Sequence, residues 1–327
     1  MVNDAMRSTP IILLDGAMAT QLAERGFALT EPLFGARALI DAPALIEAIH
    51  FDSLLAGTQV LTANTFGLHT RTLARAGIGE QQRWLIDRAL EILEHVRRRA
   101  FERDRQLARF RIAGSISPRP REQWGAEPEL ARAEYLGYAR QLADAGVDVL
   151  LLETFTSRAE IELALAGVID VELPVWLSVA AGAPNPLSNR PDGARLIEGD
   201  PLSELAPLLD DVDALLINCT QIDAIPSALE ALLATTREHP TLPLGLRPHF
   251  GKRRYDGVWI DRIVESDVFA EQMQAWLFSA RPGRERLCLA GACCGSQPGD
   301  IAALRERLQP DTAARERAWT RLAELLP

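Results

Sequence analysis

The sequence predicts an α/β fold, a parallel barrel of the (β/α)8 TIM type, on three observations. Short aliphatic or β-branched runs alternate with longer amphipathic segments, the repeat expected of successive βα units. Runs such as Val149-Leu150-Leu151-Leu152 are continuously apolar, which fits strands buried on both faces. No G-x-G-x-x-G follows the first run, which argues against an open dinucleotide-binding sheet.

The candidate strands, in order, are Ile11–Asp15, Gln59–Asn64, Arg111–Ile116, Val147–Glu153, Val175–Val179, Ala214–Cys219, Leu242–Leu246 and Leu287–Gly291. The strand pattern by itself leaves seven and eight strands both open. Helical periodicity covers Arg83–Arg98, Ala131–Ala145, Arg158–Gly167 and Ile225–Thr236, the last opening with proline at a first-turn position. The most loop-like stretch, Ala181–Gly193, follows the fifth strand and in a barrel would lie over the active face.

With 327 residues, 47% of them hydrophobic, the chain is long enough for one large core. Barrels of this type run to about 250 residues or more as one unit, so residues 1–327 are expected to form a single barrel domain. The net charge of −10 works against phosphate backbones. Arginine-rich stretches such as Arg97-Arg98-Arg99 and Arg103-Asp104-Arg105 are interleaved with acids, the pattern of a solvated helix face. Nucleic acid is therefore not an expected partner. No apolar run reaches the ~18 residues of a membrane span. The polar start, Met1 to Pro10, lacks the basic and apolar regions of a secretion signal. Four cysteines are too sparse for a disulfide framework, and reduced thiols in the cytoplasm are expected. Oligomeric state is left open.

Barrel enzymes do their chemistry at the C-terminal ends of their strands. Here those ends carry Asp15, Asn64-Thr65, Ser115, Glu153, Ser178, Asn218-Cys219 and Arg247, and the last strand runs into Ala290-Gly291-Ala292-Cys293-Cys294-Gly295. Any one of these could simply start a polar loop; together they mark an active face. Cys219 and the Cys293–Cys294 pair could meet around one metal ion in a closed barrel, since zinc takes thiolates and a catalytic site keeps one position open. Buried core cysteines are the alternative, and Cys288, inside the eighth strand, is read that way. Gly291 and Gly295 would allow the tight backbone that presents neighbouring thiols to one centre.

These residues also form motifs. Asp15-Gly16-Ala17-Met18-Ala19-Thr20-Gln21-Leu22 with Arg25-Gly26, Leu61-Thr62-Ala63-Asn64-Thr65-Phe66-Gly67, and Ala145-Gly146-Val147-Asp148 through Glu153-Thr154-Phe155 resemble those of the homocysteine S-methyltransferase family. Asn218-Cys219-Thr220 and Gly291-Ala292-Cys293-Cys294-Gly295 are similar to its zinc motifs. The resemblance covers nearly the whole chain. It implies a Zn2+ barrel enzyme that methylates homocysteine to methionine, with Cys219, Cys293 and Cys294 as metal ligands. It also implies Asp15 and Gly16 as the homocysteine-binding turn and Glu153 as the partner of the substrate ammonium. Asn64 and Thr65 would line the pocket or cap a loop; Glu153 could instead pair with a neighbouring arginine.

The chain departs from the family pattern at Ala17, Ala292, Ser117-Pro118-Arg119-Pro120 and His249-Phe250-Gly251. These changes lie toward the methyl donor. A sulfonium donor, S-methylmethionine or S-adenosylmethionine, is expected, because its leaving group is a neutral thioether. Phe66, Phe155 and Trp124 are candidates for cation–π contact with it, or for plain packing. The chain is too short for folate and cobalamin domains, and Thr154 stands where a betaine enzyme would be expected to carry tyrosine. Other readings are a betaine-type enzyme, a methyltransferase for another thiol or selenol, and a non-catalytic zinc-thiolate sensor.

Overall fold

A computed structural model of the chain describes residues 9–121, 127–182, 193–253, 259–262, 264–279 and 282–326. Its strands are β1 (Ile12–Leu13), β2 (Val60–Thr62), β3 (Arg111–Ile116), β4 (Val149–Phe155), β5 (Val175–Val179), β6 (Ala214–Gln221), β7 (Leu244–His249), β8 (Gly251–Arg253), β9 (Trp259–Arg262) and β10 (Leu287–Ala290). Eight of these are parallel, in the order β1-β10-β7-β6-β5-β4-β3-β2, while β8 and β9 pair antiparallel as a separate two-stranded sheet. A parallel bridge between Leu14 and Val60, with Asp15 N–H donating to the Val60 carbonyl at 3.3 Å, joins the first strand to the second and closes the barrel.

The helices are α1 (Met18–Glu24), α2 (Ala38–Asp41), α3 (Pro43–Ala56), α4 (Thr70–Arg75), α5 (Gln82–Arg103), α6 (Pro128–Ala145), α7 (Arg158–Val168), α8 (Ile225–Thr235), α9 (Ser266–Leu277), α10 (Pro298–Leu308) and α11 (Thr312–Leu325). Each of the four predicted helices is present, with ends displaced by up to five residues, the most at α5, which runs on to Arg103. Between β5 and β6 the chain is instead a 3-10 segment, Leu202–Asp211, with Pro207 inside it. Proline removes one ladder hydrogen bond and crowds the preceding turn, which favours this tighter winding over an α-helix.

The apolar residues separate into two clusters. The outer one packs strands against the surrounding helices, through residues such as Leu150, Leu152, Leu177, Ile217 and Leu246. The inner one fills the barrel with Ile12, Leu14, Val60, Ala113, Val149, Leu151, Trp176, Ala214, Leu216, Cys288 and Leu289. Leu322 and Leu326 join this inner cluster, and the Leu326 carbonyl accepts from Arg111 at the start of β3. The C-terminal segment thus covers the N-terminal mouth of the barrel. The opposite mouth carries the polar ends of the strands. Among the described residues, no helix is long and apolar enough to cross a membrane.

Candidate active site

Above the apolar filling, the strands that close the C-terminal mouth change character within one pleat. On β5, Trp176 belongs to the inner cluster and Leu177 and Val179 to the outer one, so alternation turns Ser178 inward. Glu153 on β4, Arg247 on β7 and Thr62 on β2 belong to the same polar layer, which Asp15 joins from the turn after β1. Thr62 donates to Asp15 twice, from its backbone N–H at 2.7 Å and its hydroxyl at 2.8 Å. Arg247 bridges the two acids, 3.2 Å from Asp15 Oδ1 and 3.2 Å from Glu153 Oε2. The Ser115 hydroxyl donates to Glu153 Oε1 at 2.5 Å. Burial is the larger influence on Asp15 and raises its carboxyl from 3.8 to about 6, against the lowering effects of Arg247 and Thr62. An ion triad of this kind adds little net stability over an apolar layer of equal volume. Placed at strand ends in a barrel mouth, it marks a site.

Beside this layer the three predicted cysteines converge, their sulfurs all within 4.8 Å of one another. Two features bring them there. The β6 ladder shifts register between Asn218 and Gln221, and Cys219 in that bulge has a φ of +46°. Bulges re-aim side chains, and such a conformation is rare for a residue with a Cβ. On the other side, Gly295 adopts a φ of +83° directly after the cysteine pair. At Gly291, just before it, a Cβ would sit 3.0 Å from that of Leu14, so a larger residue would press the end of β10 away from β1. Backbone bonds then fix the loop: Cys293 N–H donates to the Pro248 carbonyl at 2.8 Å, and Phe250 N–H to the Cys294 carbonyl at 2.9 Å.

The donor set fits a thiolate-bound metal ion. Cys219 to Cys294 measures 3.8 Å and Cys293 to Cys294 3.9 Å. The sulfur–sulfur edge of a tetrahedron built on zinc–sulfur bonds is about 3.8 Å. Cys219 and Cys293 make the closest sulfur contact of the three pairs. Closure of the barrel sets their Cα atoms 5.6 Å apart, within a disulfide's span, although 74 residues separate them. Cys294 completes the trio, and Cys288 is buried in the inner core as expected.

A second bulge lies opposite. The β4 ladder shifts between Glu153 and Phe155, where Thr154 has a φ of +65°. Asn218 ties the two bulges together. Its side-chain oxygen accepts from Thr154 N–H at 3.2 Å, and its amide donates to the Thr154 hydroxyl at 2.8 Å. That hydroxyl lies 3.9 Å from Cys219 Sγ. Two strained positions are thus held by one side chain, next to the sulfurs.

The remaining predicted residues fall into place around these clusters. Thr65 is fully buried; its hydroxyl donates to the Ser115 carbonyl at 2.8 Å, and its own carbonyl accepts from Tyr138. Asn64 donates to the Gly35 carbonyl at 3.1 Å. Both polar groups hold loops together. Phe66 is exposed beside the mouth, whereas Phe155 packs in the outer core against Tyr135. His249, at the end of β7, is lowered by burial to about 4 and is neutral at pH 7. The departure after β3 is held by a buried ion pair, with Arg119 Nε 2.8 Å from Glu160 Oε1 and Tyr135 donating to the same oxygen. Trp124 and most of the 181–193 stretch lie outside the described residues. The alternative for Glu153, pairing with an arginine, is present through Arg247; the sequence reading missed that Arg247 also reaches Asp15, and it missed the Asn218–Thr154 lock. The signal for both was their position at strand ends, which names a candidate without naming its partner.

A parallel barrel that brings a thiol trio and a buried acid–guanidinium layer to the C-terminal ends of its strands has the architecture of a barrel enzyme. Residues 12–308 match the family model described as homocysteine S-methyltransferase, and the chain belongs to that methyltransferase family. The Escherichia coli (strain K12) homocysteine S-methyltransferase is 31% identical over 315 residues, covering 91% of this chain and 95% of the relative. The selenocysteine Se-methyltransferase of Brassica oleracea var. italica is 26% identical, covering 90% and 88%. Among solved structures, the metallated form of the E. coli homocysteine methyltransferase MmuM superposes with a TM-score of 0.74 at 27% identity, covering 94% of this chain and 99% of that one. The oxidized form of the same protein superposes equally, at 0.74.

Proposed function

We propose that the chain is a zinc-dependent homocysteine S-methyltransferase that takes its methyl group from a sulfonium, S-methylmethionine or S-adenosylmethionine. One observation carries this reading: three sulfurs converge beside two buried carboxylates at the catalytic mouth. The barrel domain, expected to span residues 1–327, would carry the whole reaction.

Cys219, Cys293 and Cys294, in the reduced chain, would hold the zinc ion, and the substrate sulfur would bind beside them. A free thiol with a pKa near 8.5 is mostly protonated at neutral pH, and zinc when bound shifts a coordinated thiol to its nucleophilic thiolate. Glu153 and Asp15 receive the homocysteine ammonium, and the turn at Gly16 offers backbone N–H to the carboxylate. Asn64 and Thr65 shape the wall behind the turn through the loops they hold. The homocysteine sulfur attacks the donor methyl carbon in line. A carbon–sulfur bond forms, the methyl–sulfonium bond breaks, and its electron pair leaves on a neutral thioether. The thiol proton has already gone to solvent, so no general base is needed. Dispersal of the sulfonium charge in the transition state is favoured by a site closed against water.

The test is turnover by the reduced, zinc-loaded protein with homocysteine and, separately, S-methylmethionine, S-adenosylmethionine and betaine. Methionine is expected from a sulfonium and not from betaine. Turnover with betaine alone would overturn the donor, and no product from any donor alongside stoichiometric zinc would favour a thiol sensor. The likeness to a selenocysteine Se-methyltransferase supports a second acceptor reading, a selenol, separated by direct competition between the two acceptors.

A further inference from the structure

Arg247 has no role in the chemistry above, yet it is the cation at the centre of the polar layer. Its side chain is 4% exposed. A guanidinium carries five N–H donors. One is spent on Glu153 and one on Asp15, which leaves three. The Nε–H is buried and, among the described residues, has no acceptor. The carboxylates, in contrast, are already supplied: Asp15 also accepts twice from Thr62, and Glu153 accepts from Ser115. The layer therefore has unused donors on its cation, and an anion is the group that would use them. Charge agrees. Asp15, Glu153 and Arg247 sum to −1, so a bare ammonium would find its anions already shared with Arg247. A zwitterion can divide the contacts, with its ammonium against the acids and its carboxylate against the guanidinium.

We propose that Arg247 determines acceptor specificity by binding the substrate α-carboxylate, so that the enzyme selects its thiol as an amino acid and not as a simple aminothiol. This inference rests on the homocysteine reading of the site. It adds a side-chain partner for the carboxylate to the backbone donors of the Gly16 turn.

The experiment compares homocysteine with 3-aminopropane-1-thiol, which keeps the thiol and ammonium and lacks the carboxylate. Wild type, Arg247→Met and Arg247→Lys are measured for turnover and, by calorimetry, for binding of each thiol. Wild type is expected to favour homocysteine in kcat/KM by about 100-fold, the scale of a charge-assisted pair. Arg247→Met is expected to lose about 100-fold with homocysteine, chiefly through KM, and less than about threefold with 3-aminopropane-1-thiol, so that discrimination collapses. Arg247→Lys keeps the charge and is expected to recover part of the preference. Equal losses for both thiols in Arg247→Met, with no recovery in Arg247→Lys, would reduce Arg247 to a structural bridge and overturn the inference while leaving the homocysteine reading intact. Wild type that binds both thiols equally would overturn it as well. Failure of that reading would appear differently, as no turnover of homocysteine by wild type with any donor.

Discussion

Two clusters share the mouth of the barrel and are built in opposite ways. Cys219, Cys293 and Cys294 bring one kind of donor to one point, and two of the three sulfur separations match a metal's coordination edge. Asp15, Glu153 and Arg247 instead pair with one another inside the protein, with donors of Arg247 left over. The first cluster has little reason to exist without a bound partner or a disulfide. The second is already a stable arrangement, into which a zwitterionic ligand must insert by exchanging contacts. The contrast teaches that convergence of like groups speaks more directly of function than convergence of opposites.

The sharpest way to break the comparison is Cys219→Ser. Methyl transfer should fall by more than about 100-fold, beyond the cost of losing merely supporting contacts around a metal, while circular dichroism stays unchanged. Retention of a tenth of the activity would remove Cys219 from the ligand set. Glu153→Gln probes the other cluster, where stability rather than metal is at stake. It strips Arg247 of one of its two anions and should lower stability by about 1.5–3 kcal/mol in urea unfolding, a loss that Cys219→Ser should not share.

The third test uses pH. The Asp15 carboxyl titrates at about 6 in the folded chain against 3.8 when unperturbed, so the folded state holds a proton that the unfolded chain releases in between. This group's contribution is fully present below about pH 4 and is lost as pH rises through 6. Asp15→Asn should flatten that fall, on the order of 3 kcal/mol, in unfolding midpoints taken from pH 4 to 7. An unchanged slope would contradict the account of Asp15. The smallest effect belongs to Ser178→Ala. Among the described residues its buried hydroxyl has no hydrogen-bond partner, so removing it should leave stability within about 1 kcal/mol of wild type or raise it. A larger loss in thermal unfolding would reveal a structural role in the layer.

Much of this was legible in the sequence. Strands such as Arg111–Ile116 and Val175–Val179 were read to the residue because their apolar runs are bounded by sharp changes in polarity. The seventh strand was placed too early, at Leu242–Leu246 instead of Leu244–His249, because its last residues, Arg247, Pro248 and His249, look like a loop. They remain extended since the barrel buries them and pairs Arg247 with Asn218. The cysteines were legible for a different reason: the vicinal pair and the remote third residue form a motif whose chemistry has few alternatives. The Arg247 bridge was not, because an arginine at a strand end has many candidate partners, and only closure of the barrel brings residues 15, 153 and 247 together. Nor does hydrophobic periodicity encode the bulges at Thr154 and Cys219, which arise from how neighbouring ladders fit.

The most direct test of the central claim is the metal content of the reduced protein, measured by mass spectrometry after exhaustive dialysis, beside Cys219→Ser and Cys294→Ser. One zinc per chain in wild type and about none in either variant is the expected result. A wild type that binds no zinc when fully reduced, or variants that keep a full complement, would contradict it.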